Sequence, residues 1–277
     1  MESQEINVVI VTFKSEDIIT KCLKSIPDDI NVIIVENSNN INFKKKLENN
    51  YKNVKCILTG ENKGYSVANN IGLSHVKSKY ALVLNPDSIL DKDAINNFLI
   101  TANKINNFHL IGPSNDQMVN LDFKQNNVIE VDNLKGFAIF FNMSKFENKF
   151  FDENFFLYFE EIDLCKNVRE KKGKIYLDNN IIIKHEGGGS VNKSKKLELE
   201  KNRNWHWMWS TFYFHKKHKG YVLAFIIILP KLMTSIFKTF GYFLIFNKEK
   251  HSIYSCRLSG ILNSIIGKKS WYRPSLD

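Results

Sequence analysis

Three short stretches carry residue types that could do chemistry together. The first is Tyr80-Ala-Leu-Val-Leu-Asn-Pro-Asp-Ser88, an apolar run that stops at polar residues. Pro86 removes a backbone donor and fixes its own φ, so a strand cannot run through it. Asp87 is therefore expected on a stiff turn at the C-terminal edge of a strand, where open α/β sheets form their ligand crevice. A carboxylate there suits a divalent cation that itself holds a diphosphate. Asp87 and Ser88 would serve equally well to cap a following helix.

The second stretch is Phe155-Phe-Leu-Tyr-Phe-Glu-Glu-Ile-Asp163. Phe155, Phe156, Tyr158 and Phe159 read as an aromatic wall, and Glu160, Glu161 and Asp163 as the opening turn of a helix reaching about residue 171. Acids in a first turn oppose the helix dipole favourably. Crowded beside apolar rings, one of them can also have a raised pKa, which a general base near neutral pH requires. The third is His185-Glu-Gly-Gly-Gly-Ser190, a histidine at a strand end before a glycine run. His185 suits a further metal or diphosphate contact, or a structural place on a loop.

The elements that must position these residues follow from periodicity. Buried strands are expected over residues 7–13, 31–36, 54–58 and 80–84, alternating with helices over 15–26, 43–51 and from Ser66. A helix over 90–105, a strand over 109–113, a hairpin or loop over 118–131 and a strand over 134–141 come next. Gly136 inside that strand suggests close backbone approach of a ligand. Two strands, 173–177 and 181–185, close the series. This alternation predicts an α/β fold with a doubly wound, mostly parallel sheet. Gly64 permits a tight turn, and the helix start behind it can face an anion.

Together the pieces resemble a known family. Val11-Thr-Phe13, Val35-Glu-Asn-Ser38, Asn62-Lys-Gly-Tyr-Ser-Val-Ala-Asn-Asn-Ile-Gly72 and Leu84-Asn-Pro-Asp87 stand in the order of a family 2 glycosyltransferase. The likeness leans to the rhamnosyltransferase-like branch of bacterial cell-surface polysaccharide assembly. It covers roughly residues 7–218. It implies the GT-A fold, a Rossmann-like mixed sheet with helices on both faces. It further implies that Thr12, Phe13, Glu36, Asn62, Gly64, Asn85, Asp87 and Gly136 surround a nucleotide sugar. Asp87 would be a metal ligand, with His185 beside it, and the metal would be Mg or Mn. The family usually has Asp where Glu36 stands, and Glu-Asp-x-Asp-Leu where this chain has Glu160-Glu161-Ile162-Asp163-Leu164. Glu161 is then the expected base, with Asp163 a rival and Glu160 in support. The implied donor is dTDP-rhamnose, or a UDP-hexose, and the implied acceptor a saccharide or polyprenyl-diphosphate-linked glycan.

Charge divides the chain. From Lys193 onward there are 16 Lys+Arg against 4 Asp+Glu, a net of +12, while the preceding residues hold 23 against 25, a net of −2. We therefore expect a catalytic domain over 1–192 and a helical, basic tail over 193–277. The tail interleaves Trp205, Trp207, Trp209 and Tyr213 with lysines, which suits a membrane interface or a single-stranded nucleic acid. Residues 221–246 are apolar, but Pro230 and Lys231 interrupt the run, and Lys231, Thr234, Ser235, Lys238 and Tyr242 form a polar stripe. An interfacial helix at a membrane surface is expected rather than a span, and nucleic acid is not the expected partner. A polar start that leads straight into a strand is not a signal-peptide pattern, and four scattered cysteines with no CxxC suit a reducing compartment. The expected location is cytoplasmic, on the inner face of the plasma membrane. Two other readings remain: a nucleotidyltransferase, although Thr12-Phe-Lys-Ser-Glu16 lacks the usual glycine- and basic-rich loop, and a non-catalytic membrane or nucleic-acid binder.

Overall fold

The computed structural model of the protein describes residues 5–114, 127–147, 149–185 and 193–273. Its chain falls into two compact units, Met1–Asp152 with Glu160–Gly189, and Glu153–Phe159 with Ser190–Asp277.

The first unit is a mixed α/β sheet. β1 (Ile6–Thr12), β2 (Asn31–Glu36), β3 (Val54–Leu58) and β4 (Tyr80–Leu84) are mutually parallel, with β1 central between β2 and β4. The strand residues alternate between two apolar cores, as a period of two requires. Val8, Ile10, Val32 and Ile34 face α1 (Ile19–Lys24), α2 (Ile41–Asn50) and α4 (Ala94–Ile105). Val9, Ile33, Ala81 and Val83 face α3 (Tyr65–Ser74) and α5 (Glu160–Glu170).

Beyond β4 the sheet turns antiparallel. β4 pairs with β8 (Ala138–Asn142), β8 with β6 (Leu110–Ser114), and β6 runs parallel to β9 (Ile175–His185). β7 (Val128–Glu130) lies on the other side of β9. A three-residue strand, β5 (Ser88–Leu90), pairs with the end of β9 and brings Ser88 opposite His185.

Several expectations need correcting. The helix expected from residue 90 begins at Ala94, because 88–90 are taken by β5. The helix expected from Ser15 begins at Ile19: the Ser15 hydroxyl is spent on Phe13, accepting from its N–H at 3.2 Å. The two strands expected over 173–185 are one, β9, with a register shift at its middle. Asp178 braces that shift. Its buried carboxylate accepts from the Thr101 hydroxyl and from the backbone and side-chain nitrogens of Asn180 at 2.9 and 3.1 Å. Gly136 precedes β8 rather than lying inside a strand. Most of the hairpin expected over 118–131, and the glycine run after His185, lie outside the described residues.

Among the described residues the second unit holds three helices, α6 (Lys193–Lys219), α7 (Tyr221–Leu244) and α8 (Lys248–Ile265). Met208, Phe212, Ala224, Ile228, Leu232 and Ile261 form its core. Trp205 is fully buried and donates Nε1 to Ser259 Oγ at 3.1 Å, and Trp209 donates to the Lys268 carbonyl at 3.0 Å. These aromatics, read from sequence as an interfacial display, are therefore largely core. Phe155, Phe156 and Phe159 also belong here, packed on Tyr213, His206 and Trp207 of α6. α7 continues through Pro230 and is the one helix among the described residues long and apolar enough to cross a membrane.

Candidate active site

Residues singled out from sequence lie at the ends of β1, β2 and β9, in the turn after β4 and at the head of α5. Thr12 ends β1 and stands in register with Glu36 at the end of β2. Thr12 Oγ1 is buried and has no hydrogen-bond partner. Phe13 follows, half-buried.

Glu36 does not reach outward. It is fully buried, and its carboxylate accepts from Ser38 N–H at 3.1 Å, from the Ser38 hydroxyl and from Asn40 N–H at 2.7 Å. It closes its own turn. Asn37 ties that turn to the next: its Nδ2 donates to Asn62 Oδ1 at 3.1 Å and its Oδ1 accepts from Lys63 N–H at 3.0 Å. Asn62 Oδ1 also accepts from Gly64 N–H at 3.1 Å. Gly64 caps α3 at φ +88°, a left-handed conformation that costs any side-chain-bearing residue energy.

Tyr65 opens α3, and its hydroxyl does the most to join the site. It lies 3.0 Å from Asn85 Oδ1 and 3.0 Å from the Gly136 carbonyl. A phenol has one proton, so it donates to one of these at a time. Burial raises the Tyr65 pKa, and the charges of Glu160, Glu161 and Asp87 add to it. Sequence reasoning passed over Tyr65. Its place directly behind a turn glycine at a helix start was the available signal.

Asn85 N–H donates to the Phe137 carbonyl at 2.8 Å, which holds the Asn85-Pro86-Asp87 turn against the chain entering β8. Asp87 Oδ1 is buried and accepts no well-aligned hydrogen bond, yet His185 Nε2 lies 3.2 Å away. The β5–β9 pairing creates this approach, and the His185 ring stacks on Phe137 at 5.0 Å. Burial, reinforced by the Asp87 charge, pushes the Cys22 thiol up to about 12, so it stays protonated beneath the turn.

Asp87 and His185 fit a divalent cation. Two adjacent ligands of an octahedral ion stand about 3 Å apart when each bond is about 2.1 Å. Among the described residues there is no group of three or more His, Cys, Asp and Glu side chains; a bound diphosphate or water is a natural source of further oxygen ligands.

The acids at the head of α5 differ sharply in setting. Glu160 is buried with Oε2 unpartnered; burial, then the Glu161 charge, raises its pKa well above the ordinary value. Burial also raises Glu161, but the backbone N–H groups of Glu161 and Ile162 hold its charged form. Its side chain runs past Gly136, where a Cβ would come within 3.5 Å of Glu161 Cβ and Cγ. That is ordinary van der Waals spacing. Asp163 is fully buried and accepts from Asn167 Nδ2 at 2.8 Å within the helix. The chain enters α5 through Tyr158 and Phe159, both at φ near +70°, a strained pair for non-glycine residues.

Residues 7–164 match the family described as Glycosyl transferase family 2. The chain belongs to glycosyltransferase family 2. Among family-2-like sequences, it is 27% identical over 194 residues to the low-salt glycan biosynthesis hexosyltransferase Agl10 of Haloferax volcanii. That match covers 60% of this chain and 62% of the relative. In fold it resembles the mannosyltransferase PcManGT of Pyrobaculum calidifontis, solved with GDP-Man and Mn2+, at TM-score 0.59 and 10% identity over 96% of this chain and 88% of that one. It also resembles GalNAc-T7, solved with UDP, GalNAc and Mn2+, at TM-score 0.55 and 13% identity over 73% of this chain and 51% of that one. The fold of this family 2 protein is thus GT-A-like, with a C-terminal helical region.

Proposed function

We propose that the protein is an inverting, metal-dependent glycosyltransferase that moves a sugar from a nucleoside diphosphate to a saccharide or polyprenyl-diphosphate-linked acceptor. The observation that carries this reading is that Thr12, Asp87 and Glu160, at the end of β1, in the turn after β4 and at the head of α5, each hold a buried oxygen with no hydrogen-bond partner. Buried polar atoms in native proteins are nearly always paired, and unpaired ones at a sheet edge call for a ligand.

The acceptor hydroxyl oxygen bonds to the anomeric carbon as the bond from that carbon to the diphosphate oxygen breaks. Glu161 takes the hydroxyl proton, and the electron pair leaves with the nucleoside diphosphate. Configuration inverts because the displacement is single. Mg or Mn, held by Asp87 and His185, would supply the positive charge that the departing diphosphate needs. Glu161 is better placed as base than Asp163, which is spent inside its own helix. Glu36 shapes the nucleoside side of the site by fixing its turn, instead of through the expected base or ribose contact.

The donor we infer is dTDP-rhamnose, on the motif resemblance. A hexose donor has its own support, since the Haloferax relative is named a hexosyltransferase. We place the helical region on the inner face of the plasma membrane. A single-strand binder needs aromatics on display; Trp205, Trp209 and Phe212 are buried, and Trp207 and Trp271 are exposed. Nucleoside diphosphate release from dTDP-rhamnose, UDP-hexoses and GDP-mannose, with a polyprenyl-diphosphate saccharide and Mn2+, tests the reading. Release from dTDP-rhamnose above the others is expected. Preference for a hexose donor replaces rhamnose, and release from none rejects the transferase reading.

A further inference from the structure

The strap ahead of the carboxylates places bulky residues where the backbone favours glycine. Tyr158 and Phe159 stand at φ +70° and +71°. Glycine takes that conformation without steric cost. Two aromatic residues in a row keep it only where their surroundings over-determine it, a kind of strain that gathers at functional sites. Glu160 follows directly as the first residue of α5, and Glu161 comes next. Whatever fixes the Tyr158–Phe159 pair therefore fixes where α5 begins.

α6 supplies those surroundings, and it belongs to the same compact unit as residues 153–159. His206, Trp207, Ser210, Tyr213 and Phe214 recur at helical spacing and so share one face. Every residue of the strap from Phe155 to Phe159 has a partner on that face. The Phe155 ring meets Tyr213 at 4.9 Å, and Phe156 stacks on His206 at 4.4 Å. The Ser210 hydroxyl donates to the Leu157 carbonyl at 2.9 Å. Trp207 meets both left-handed residues, with its ring 5.3 Å from Tyr158 and 5.3 Å from Phe159, and Phe214 also lies 5.3 Å from Phe159.

The chain beyond α8 stiffens this hold. His206 Nε2 donates to the Tyr272 carbonyl at 2.9 Å, and Nδ1 accepts from the Ser270 hydroxyl at 2.9 Å. Burial pushes the His206 pKa down to about 3, so the ring stays neutral and keeps both bonds. The Arg273 guanidinium lies over the Phe156 ring at 3.6 Å. Trp207 is the informative residue to change. It is 40% exposed, whereas Trp205, Met208 and Trp209 beside it are buried, so replacing it loosens the strap with less damage to the helical core.

We propose that Trp207 is a positioning residue for glycosyl transfer: by holding Tyr158 and Phe159 in the left-handed conformation, it fixes the start of α5 and hence the place of Glu161. This rests on the transferase reading with Glu161 as the base.

The test combines turnover with backbone hydrogen exchange in the full chain. Turnover is nucleoside diphosphate release from dTDP-rhamnose or a UDP-hexose, with Mn2+ and a polyprenyl-diphosphate saccharide. Trp207→Ala is expected to lower kcat by about 10²-fold, the cost of a misplacement of about 1 Å, with the KM for the donor little changed. Trp207→Phe keeps a ring against the strap and should recover most of that loss. Ile261→Ala thins the core that Ile261 shares with Met208 and Phe212. It should lower the melting temperature more than Trp207→Ala does, yet leave kcat near wild type below the melt. Wild-type kcat in Trp207→Ala, a rise in KM alone, or an equal loss of kcat in Ile261→Ala overturns the proposal. Amide exchange over residues 157–162 should quicken in Trp207→Ala and not in Ile261→Ala. Unchanged exchange in Trp207→Ala overturns the hold, whether or not any donor is turned over. No turnover in the wild type, with exchange quickened in Trp207→Ala, rejects the transferase reading and leaves the hold standing, so the two failures are told apart. Ser210→Ala, which releases the Leu157 carbonyl, carries the same test if Trp207→Ala does not fold.

Discussion

Glu160 and Glu161 adjoin in sequence and differ in what the fold asks of them. Burial raises both carboxyl pKa values, and Glu161 has two backbone donors holding its charged form where Glu160 has one. Glu161→Gln should lower kcat by about 10²- to 10⁴-fold while leaving donor binding intact. Glu160→Gln imitates the neutral acid and should keep most activity, with the acidic limb of kcat/KM in place. The reverse ranking would reassign the base. Stability gives a second readout. A carboxyl whose folded pKa is raised contributes stability fully below its unfolded value, lost as pH rises through the folded value. Glu160→Gln should therefore melt higher than wild type at pH 8 and lose that advantage near pH 4. Tyr65→Phe removes the one proton that Asn85 Oδ1 and the Gly136 carbonyl share. It should cost about 1–3 kcal/mol of stability and raise KM for the donor more than it lowers kcat. The acids at 160, 161 and 163 were legible as a group, but their division of labour was not, because burial and backbone donors are tertiary facts.

At the scale of elements, the buried parallel strands were legible because residues enclosed on both faces leave unbroken apolar runs. β5 was not. Its three residues hold together only through β9, far along the chain, and no local pattern announces that pairing. The same pairing sets His185 beside Asp87, so their proximity could be expected from the family likeness but not from spacing. The aromatic run before α5 read as a wall over the acids, whereas its rings pack on α6. Two glycines make testable demands. Gly64→Ala forces a side chain into φ +88° and should cost about 1–2 kcal/mol. Gly260→Ala places a Cβ 2.3 Å from the Trp205 carbonyl and should lower stability by about 1–3 kcal/mol, read as an earlier thermal transition. A melt unchanged by Gly260→Ala would mean that α6 and α8 do not approach as described.

At the scale of the whole molecule, the uneven charge was plain in the sequence, and its meaning depends on what the helices bury. Two of the tail's four tryptophans, Trp205 and Trp209, are inside; Trp207, Trp271 and the apolar side of α7 are exposed. Saturating single-stranded RNA should leave turnover unchanged; strong inhibition would restore nucleic acid as a partner. The most direct test of the central claim is nucleoside diphosphate binding by thermal shift, with and without Mn2+, for the wild type and Asp87→Ala. A Mn2+-dependent rise in melting temperature with dTDP or UDP, absent in Asp87→Ala, is the expected result. A shift that ignores Mn2+, or one that survives in Asp87→Ala, would contradict a metal-held diphosphate at this sheet edge.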